Sequence, residues 1–184
     1  MAVLDGDHLF VMTGGPGSGK TTLIAALERA GFNAVHEAGR RIIKEQMATG
    51  GRALPWADRA RFASAILDHD IAAHETWRRH RRPVFFDRGI PDVLGYLDLV
   101  GLSVSQSMRE AAQVRRYNRT VFIAPPWPAI FAQDDERKQT PEEAERTYHA
   151  MTRVYAEYGY ALLELPRASV AERVRFVLQH AGAR

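Results

Sequence analysis

The chain has 184 residues, 46% of them hydrophobic, and a formal net charge of +3, enough for one domain with a sizeable core over residues 1–184. Cysteine is absent, which excludes disulfides and thiolate metal sites. The basic residues, 22 Arg and three Lys, are scattered among the acids with no basic tail, which argues against nucleic acid as a partner.

The first seven residues lack the basic and apolar regions of a secretory leader, and no apolar run approaches membrane-spanning length, so a cytoplasmic protein with no membrane insertion is expected. The apolar run Leu9 to Met12 reads as a first strand. It leads into Gly14-Gly15-Pro16-Gly17-Ser18-Gly19-Lys20-Thr21, which matches the phosphate-loop pattern GxxxxGK[ST]. Glycines at 14, 17 and 19 let backbone N–H groups curl around an anion, where a Cβ would obstruct them. Lys20 is placed to reach the β- and γ-phosphates of a nucleotide and the Thr21 hydroxyl to ligate Mg2+. Thr22 to Leu27 continues as a helix whose N-terminus faces the phosphates.

Gly31 ends that helix, and Phe32 to His36 is a second strand ending at Glu37. Ala38 to Met47 reads as helical. After Thr49-Gly50-Gly51 a long helix is expected from Pro55, with Phe62, Ile66, Ala73 and Trp77 as its buried stripe. The run Arg78 to Arg82 closes it as a solvated cap. Val84-Phe85-Phe86-Asp87 has the form of a buried parallel strand that carries an acid to the sheet's C-terminal edge. Helices are expected over residues 92–100 and 103–117, and Thr120 to Ala124 is a fourth strand stopped by Pro125 and Pro126. The polar stretch from Trp127 to Thr140 reads as a mobile surface segment. A helix follows from Pro141 to about Tyr158, then a fifth strand over residues 161–165 and a last helix capped by Ser169. Alternating strands and helices predict an α/β fold: a parallel sheet covered on both faces, with the ligand at the carboxyl ends of the strands.

The stretches GGPGSGKTT, HEAGR, VFFDRGIPD, FIAPPWP and DDERKQTPEE together resemble one branch of the P-loop kinase superfamily. It is the small AAA-domain family related to the ribosylnicotinamide-kinase domain of bacterial NAD-biosynthesis regulators. The resemblance implies a three-layer fold whose five-stranded parallel sheet has the order 2-3-1-4-5, with a lid after the fourth strand. It implies Asp87 as the Walker B acid beside Mg2+ and Arg88 as a basic residue near a phosphoryl acceptor, the alternative for Arg88 being a structural ion pair. Glu37 falls where such kinases hold a carboxylate over the acceptor hydroxyl, and pairing with Arg40 or Arg41 is its alternative. Arg137 falls in the lid, with Lys138 and Arg146 as competitors.

The leading functional reading is a Mg2+-dependent phosphotransferase that moves the γ-phosphoryl of ATP to a small nucleoside- or nucleotide-like acceptor. The other reading is a nucleotide-binding switch or slow ATPase or GTPase acting through a protein partner. ATP is preferred by the resemblance, since no guanine-recognition motif of the NKxD type is evident.

Overall fold

In the computed structural model, which describes residues 3–130 and 140–183, five parallel strands form one sheet. They are β1 (Leu9–Gly14), β2 (Asn33–Val35), β3 (Val84–Asp87), β4 (Thr120–Ala124) and β5 (Ala161–Glu164). Their spatial order is β2-β3-β1-β4-β5, as the resemblance implied. Among the described residues seven α-helices alternate with them: α1 (Lys20–Arg29), α2 (Ala38–Thr49), α3 (Arg59–Trp77), α4 (Ile90–Leu99), α5 (Gln106–Val114), α6 (Pro141–Glu157) and α7 (Val170–His180).

Successive side chains of a strand point to opposite faces of a sheet, and the central strands divide their apolar residues accordingly. Phe10, Met12, Phe85 and Phe122 join Leu23, Ile24 and Leu27 of α1 and Val177 of α7 in one cluster. Leu9, Val11, Val84, Phe86, Val121 and Ile123 join residues of α3 to α6 in the other. Every residue of β1 and β3 is buried, so neither face tolerates a polar residue without a partner.

Because β1 lies at the centre, the chain leaves it toward β3 and β2 on one side and toward β4 and β5 on the other. Such an order opens a crevice at the carboxyl end of the central strand. Residues 15–19 occupy that position, between β1 and α1. Parallel registry sets Met12 beside both Asp87 of β3 and Phe122 of β4, so the end of β3 meets the loop directly.

Three helix starts differ from expectation for local reasons. The α3 helix begins at Arg59, because Ala57 and Asp58 donate their N–H groups to the Leu54 carbonyl in a separate turn and the Asp58 side chain then caps the helix by accepting from Arg61 N. Helix α4 begins at Ile90, with Pro91 in its first turn and Asp92 reaching back to Gly89 N. Helix α5 is shorter than residues 103–117, since Ser105 caps it and Tyr117 lies beyond it in the core. Ser169 caps α7 as expected, accepting from Glu172 N. Arg78 sits at the end of α3 with Glu75 at 2.7 Å, and Arg79 to Arg82 are exposed.

Helix α3 also buries Asp70, whose Oδ1 meets His69 Nδ1 at 3.1 Å and whose Oδ2 has no hydrogen-bond partner. Burial pushes this carboxyl above its ordinary range, and His69 pulls it partly back. A raised carboxyl pKa favours the folded state while the group is protonated, and that contribution is lost as pH rises through the folded-state pKa. Asp70→Asn is therefore expected to melt above the parent at pH 8 by a few degrees, about 2–4 °C per kcal/mol for a chain of this size. The advantage should shrink or reverse near pH 5, as thermal melts across that range would show.

Candidate active site

Glycine is required at Gly15 and Gly19 by different neighbours. A Cβ at Gly15 would press on the backbone of Ala144 in α6, so the loop is seated against that helix. Gly19 has φ +77, and a Cβ there would come 2.7 Å from Arg173 Nη1. Lys20 is buried and folded back over its own loop, with Nζ donating to the carbonyls of Gly14 at 3.1 Å and Gly15 at 2.7 Å and to Ser18 Oγ at 3.3 Å. The loop and the first turn of α1 line a cleft of about 190 Å³ with Arg40 of α2 and Ile130. Arg40 adds a second cation to the cleft beside Lys20.

Thr21 and Asp87 are brought together as the resemblance implied, with Thr21 Oγ1 donating to Asp87 Oδ2 at 3.2 Å. Asp87 Oδ1 is buried and accepts no hydrogen bond. Burial raises the Asp87 carboxyl, with Lys20 pulling it down and Glu37 pushing it up. A hydroxyl and a carboxylate with an unused buried oxygen are hard oxygen donors, and they suit Mg2+, which takes few protein ligands and shares its sphere with phosphate and water. Thr21 and Asp87 are the residues that could hold it.

Glu37 and Arg88 also act on the Asp87 carboxyl. Glu37 opens α2, and its Oε1 stands 3.4 Å from Arg88 Nε, so the described ion pair joins it to Arg88. Arg88 has φ 76, a left-handed conformation unusual for a side chain of its size. That conformation turns the chain off the end of β3 and lets Arg88 Nη1 donate to Asp92 Oδ1 at 3.0 Å. Burial alone would depress the guanidinium, but Glu37, Asp92 and Asp87 together hold it above its ordinary value. Arg88 is thus ion-paired to Glu37 and Asp92, the alternative named for it from the sequence.

Asp92 went unrecognised in the sequence as anything more than a helix start. It is 4% exposed. Its carboxylate accepts from Thr13 Oγ1 at 2.6 Å, Tyr155 OH at 2.6 Å, Gly89 N at 3.0 Å and Arg88 Nη1 at 3.0 Å. The Tyr155 hydroxyl is pushed well above its ordinary pKa by burial and then by the Asp92 charge, so it remains a donor. The only sequence sign of this role is an acid three residues after Gly89 at a strand-to-helix turn. Arg137 and Lys138 lie outside the described residues, and Arg146 is exposed on α6 with Glu143 at 4.0 Å. A larger hollow of about 460 Å³, lined by Arg109, Arg116 and Tyr158 among others, contains none of these site residues.

All four groups around Asp92 are donors, so an amide in its place would turn an NH2 toward at least one of them. Asp92→Asn is expected to cost about 3 kcal/mol, the scale for breaking a buried charged network. That corresponds to a fall in Tm of about 6–12 °C in a thermal melt.

Solved structures of similar fold include a NadR protein and several kinases. A NadR protein in complex with NR aligns over 96% of this chain with a TM-score of 0.70 and 16% identity. The chain spans about half the length of that protein, 52%. Deoxyadenosine kinase from M. mycoides, with products dCMP and dCDP, aligns over 95% of this chain and 98% of its own, at TM-score 0.65 and 13% identity. Thymidylate kinase from Ehrlichia chaffeensis aligns over 97% and 100%, at TM-score 0.62 and 13% identity. At these identities the likeness is one of fold. A search of curated proteins finds no match. The family model described as an AAA domain matches residues 9–173, and with the phosphate loop, the 2-3-1-4-5 sheet and the Thr21–Asp87 contact in place, the chain belongs to that AAA-domain family of kinase-like P-loop proteins.

Proposed function

We propose that this protein is an ATP-dependent phosphotransferase that uses Mg2+ and transfers the γ-phosphoryl group to a hydroxyl or phosphate of a small nucleoside- or nucleotide-like acceptor. The observation that carries the reading is the position of Asp87. One buried carboxylate lies within electrostatic reach of Lys20 of the phosphate loop and of the Glu37–Arg88 ion pair. A nucleotide switch has no need of a paired carboxylate and guanidinium beside that acid, whereas a kinase uses both at the acceptor.

In this reading the backbone of residues 14–19, with Lys20, Thr21 and Thr22, cradles the triphosphate. Lys20 exchanges its carbonyl partners for phosphate oxygens. Bound Mg2+, held by Thr21 and Asp87, would neutralise phosphate charge. An acceptor hydroxyl entering between Glu37 and Arg88 gives its proton to Glu37 as its oxygen bonds to the γ-phosphorus. The bond from that phosphorus to the β,γ-bridging oxygen breaks, and the electron pair leaves on ADP. Arg88, fixed by Asp92, offsets the negative charge that develops on the transferring group. Arg137 is the proposed lid cation. We read residues 1–184 as one cytoplasmic domain that acts on a small molecule. No helix among the described residues is long and apolar enough to cross a membrane.

Lys20→Ala is expected to abolish Mg-ATP binding measured by calorimetry while the protein keeps its cooperative melt, and unchanged affinity would rule out the phosphate-loop assignment. Asp87→Asn should weaken nucleotide binding in the presence of Mg2+ more than in its absence. The kinase reading itself is tested by ADP formation with nucleosides, ribosylnicotinamide and nucleoside monophosphates as candidate acceptors. One of them should stimulate ADP release, and Glu37→Gln should cut that increment by about 10²-fold or more with ATP affinity nearly unchanged. If no acceptor stimulates and Glu37→Gln behaves as the parent, the protein is a switch or slow ATPase.

A further inference from the structure

Against the phosphate loop, helix α7 contributes a cation that no part of the proposed chemistry uses. Arg173 is 3% exposed. Its Nη1 donates to the Ser18 carbonyl at 3.1 Å, and its Nε is buried without a hydrogen-bond partner. The guanidinium lies 5.8 Å from the Trp127 ring centroid and faces the bare α-carbon of Gly19. Among the described residues no carboxylate forms an ion pair with it, and burial lowers its pKa with no charged neighbour to restore it. A buried cation without a counter-ion is costly and persists only if something repays the desolvation.

The Ser18 carbonyl and the Gly19 N–H belong to one peptide group. A cation on the carbonyl oxygen draws electron density through the amide and makes that N–H a stronger donor. The Gly19 N–H is one of the donors that a phosphate loop turns toward its anion. We propose that Arg173 is a positioning residue of the phosphate loop: it holds and polarises the Ser18–Gly19 peptide through the Ser18 carbonyl, and the phosphates of the bound nucleotide serve as its counter-ion. The inference rests on the nucleotide-binding reading above and adds to it a residue remote in sequence from the motif. It also accounts for the need for glycine at 19, since any side chain there would displace the guanidinium from the carbonyl.

The test uses the full chain with Arg173→Met, which keeps bulk without charge, and Arg173→Lys, which keeps a charge and a donor. Inorganic tripolyphosphate and ATP, both with Mg2+, serve as probes in calorimetry, and thermal melts are recorded without ligand. Losing a charge-assisted contribution should weaken Arg173→Met about tenfold for both probes alike. Arg173→Lys should keep most of the parent affinity. Without ligand, Arg173→Met should melt at or above the parent, because an uncompensated buried charge has been removed. Unchanged tripolyphosphate affinity in Arg173→Met would overturn the proposal, as would a loss confined to ATP, which would place Arg173 at the base. Should Arg173→Met fail to fold, Arg173→Lys decides by the same two probes: retained affinity supports the proposal and affinity lost tenfold or more overturns it. If Lys20→Ala abolishes binding while Arg173→Met leaves it intact, this inference alone fails. If the parent binds neither probe, the nucleotide reading fails with it.

Discussion

The geometry of the site depends on one buried carboxylate with four donors around it. Asp92 ties together β1 through Thr13, the turn after β3 through Gly89 N and Arg88, and α6 through Tyr155. β1 and β3 are also joined by their parallel ladder and by Arg88 N on the Met12 carbonyl, and the bonds to a buried charge add α6 and fix the turn after β3 more sharply than packing would. A left-handed residue between a strand and a helix is costly in isolation, and at Arg88 the cost is offset by the ion pairs that the conformation permits. The phosphate loop leaves β1 one residue beyond Thr13, so the same carboxylate also sets the starting direction of the loop.

Around this anchor, charge is arranged for a ligand. Lys20 and Arg40 border the cleft, and Asp87 keeps a buried oxygen without a donor. In the folded chain that oxygen costs stability, since burial without a partner is unfavourable. Asp87 ends β3 beside the central strand, at the carboxyl edge where sheets of this order open their crevice. The central strands pack apolar side chains against the helices on both faces of the sheet, and Asp87 carries its orphaned oxygen beside Thr21 of the loop, where a bound cation would recover the cost.

The sequence made the loop and all five strands legible because their signals are contiguous: a spaced glycine pattern, short apolar runs, and prolines that stop them. The strand order came from family resemblance, as periodicity carries no information about which strands are neighbours. Helix starts were off by a few residues where caps compete, as at Asp58, where a preceding turn takes the N–H groups that would have extended α3. Glu37 and Arg88 were named but their pairing was not, since Arg40 and Arg41 are nearer in the chain and sequence distance favours the local partner. Asp92 and Arg173 were missed for a deeper reason. Asp92 meets Thr13 across 79 residues and Tyr155 across 63, and Arg173 meets Ser18 across 155. Each looks on its own like an ordinary polar residue of a helix.

The resting position of Lys20 bears on how tightly such a site holds its ligand. Its ammonium is already satisfied by two carbonyls and a hydroxyl, so phosphate gains only the difference between these bonds and its own. That difference is smaller than a count of final contacts suggests. In return the loop keeps its curl without a ligand, because the lysine and the Ser18 hydroxyl both converge on the Gly15 carbonyl. When Lys20 moves to phosphate, Ser18 still bonds that carbonyl, and the Gly15 carbonyl retains one of its two side-chain donors. The cradle is thus shaped before binding and little backbone entropy remains to be lost, which offsets the weaker net gain from the lysine itself.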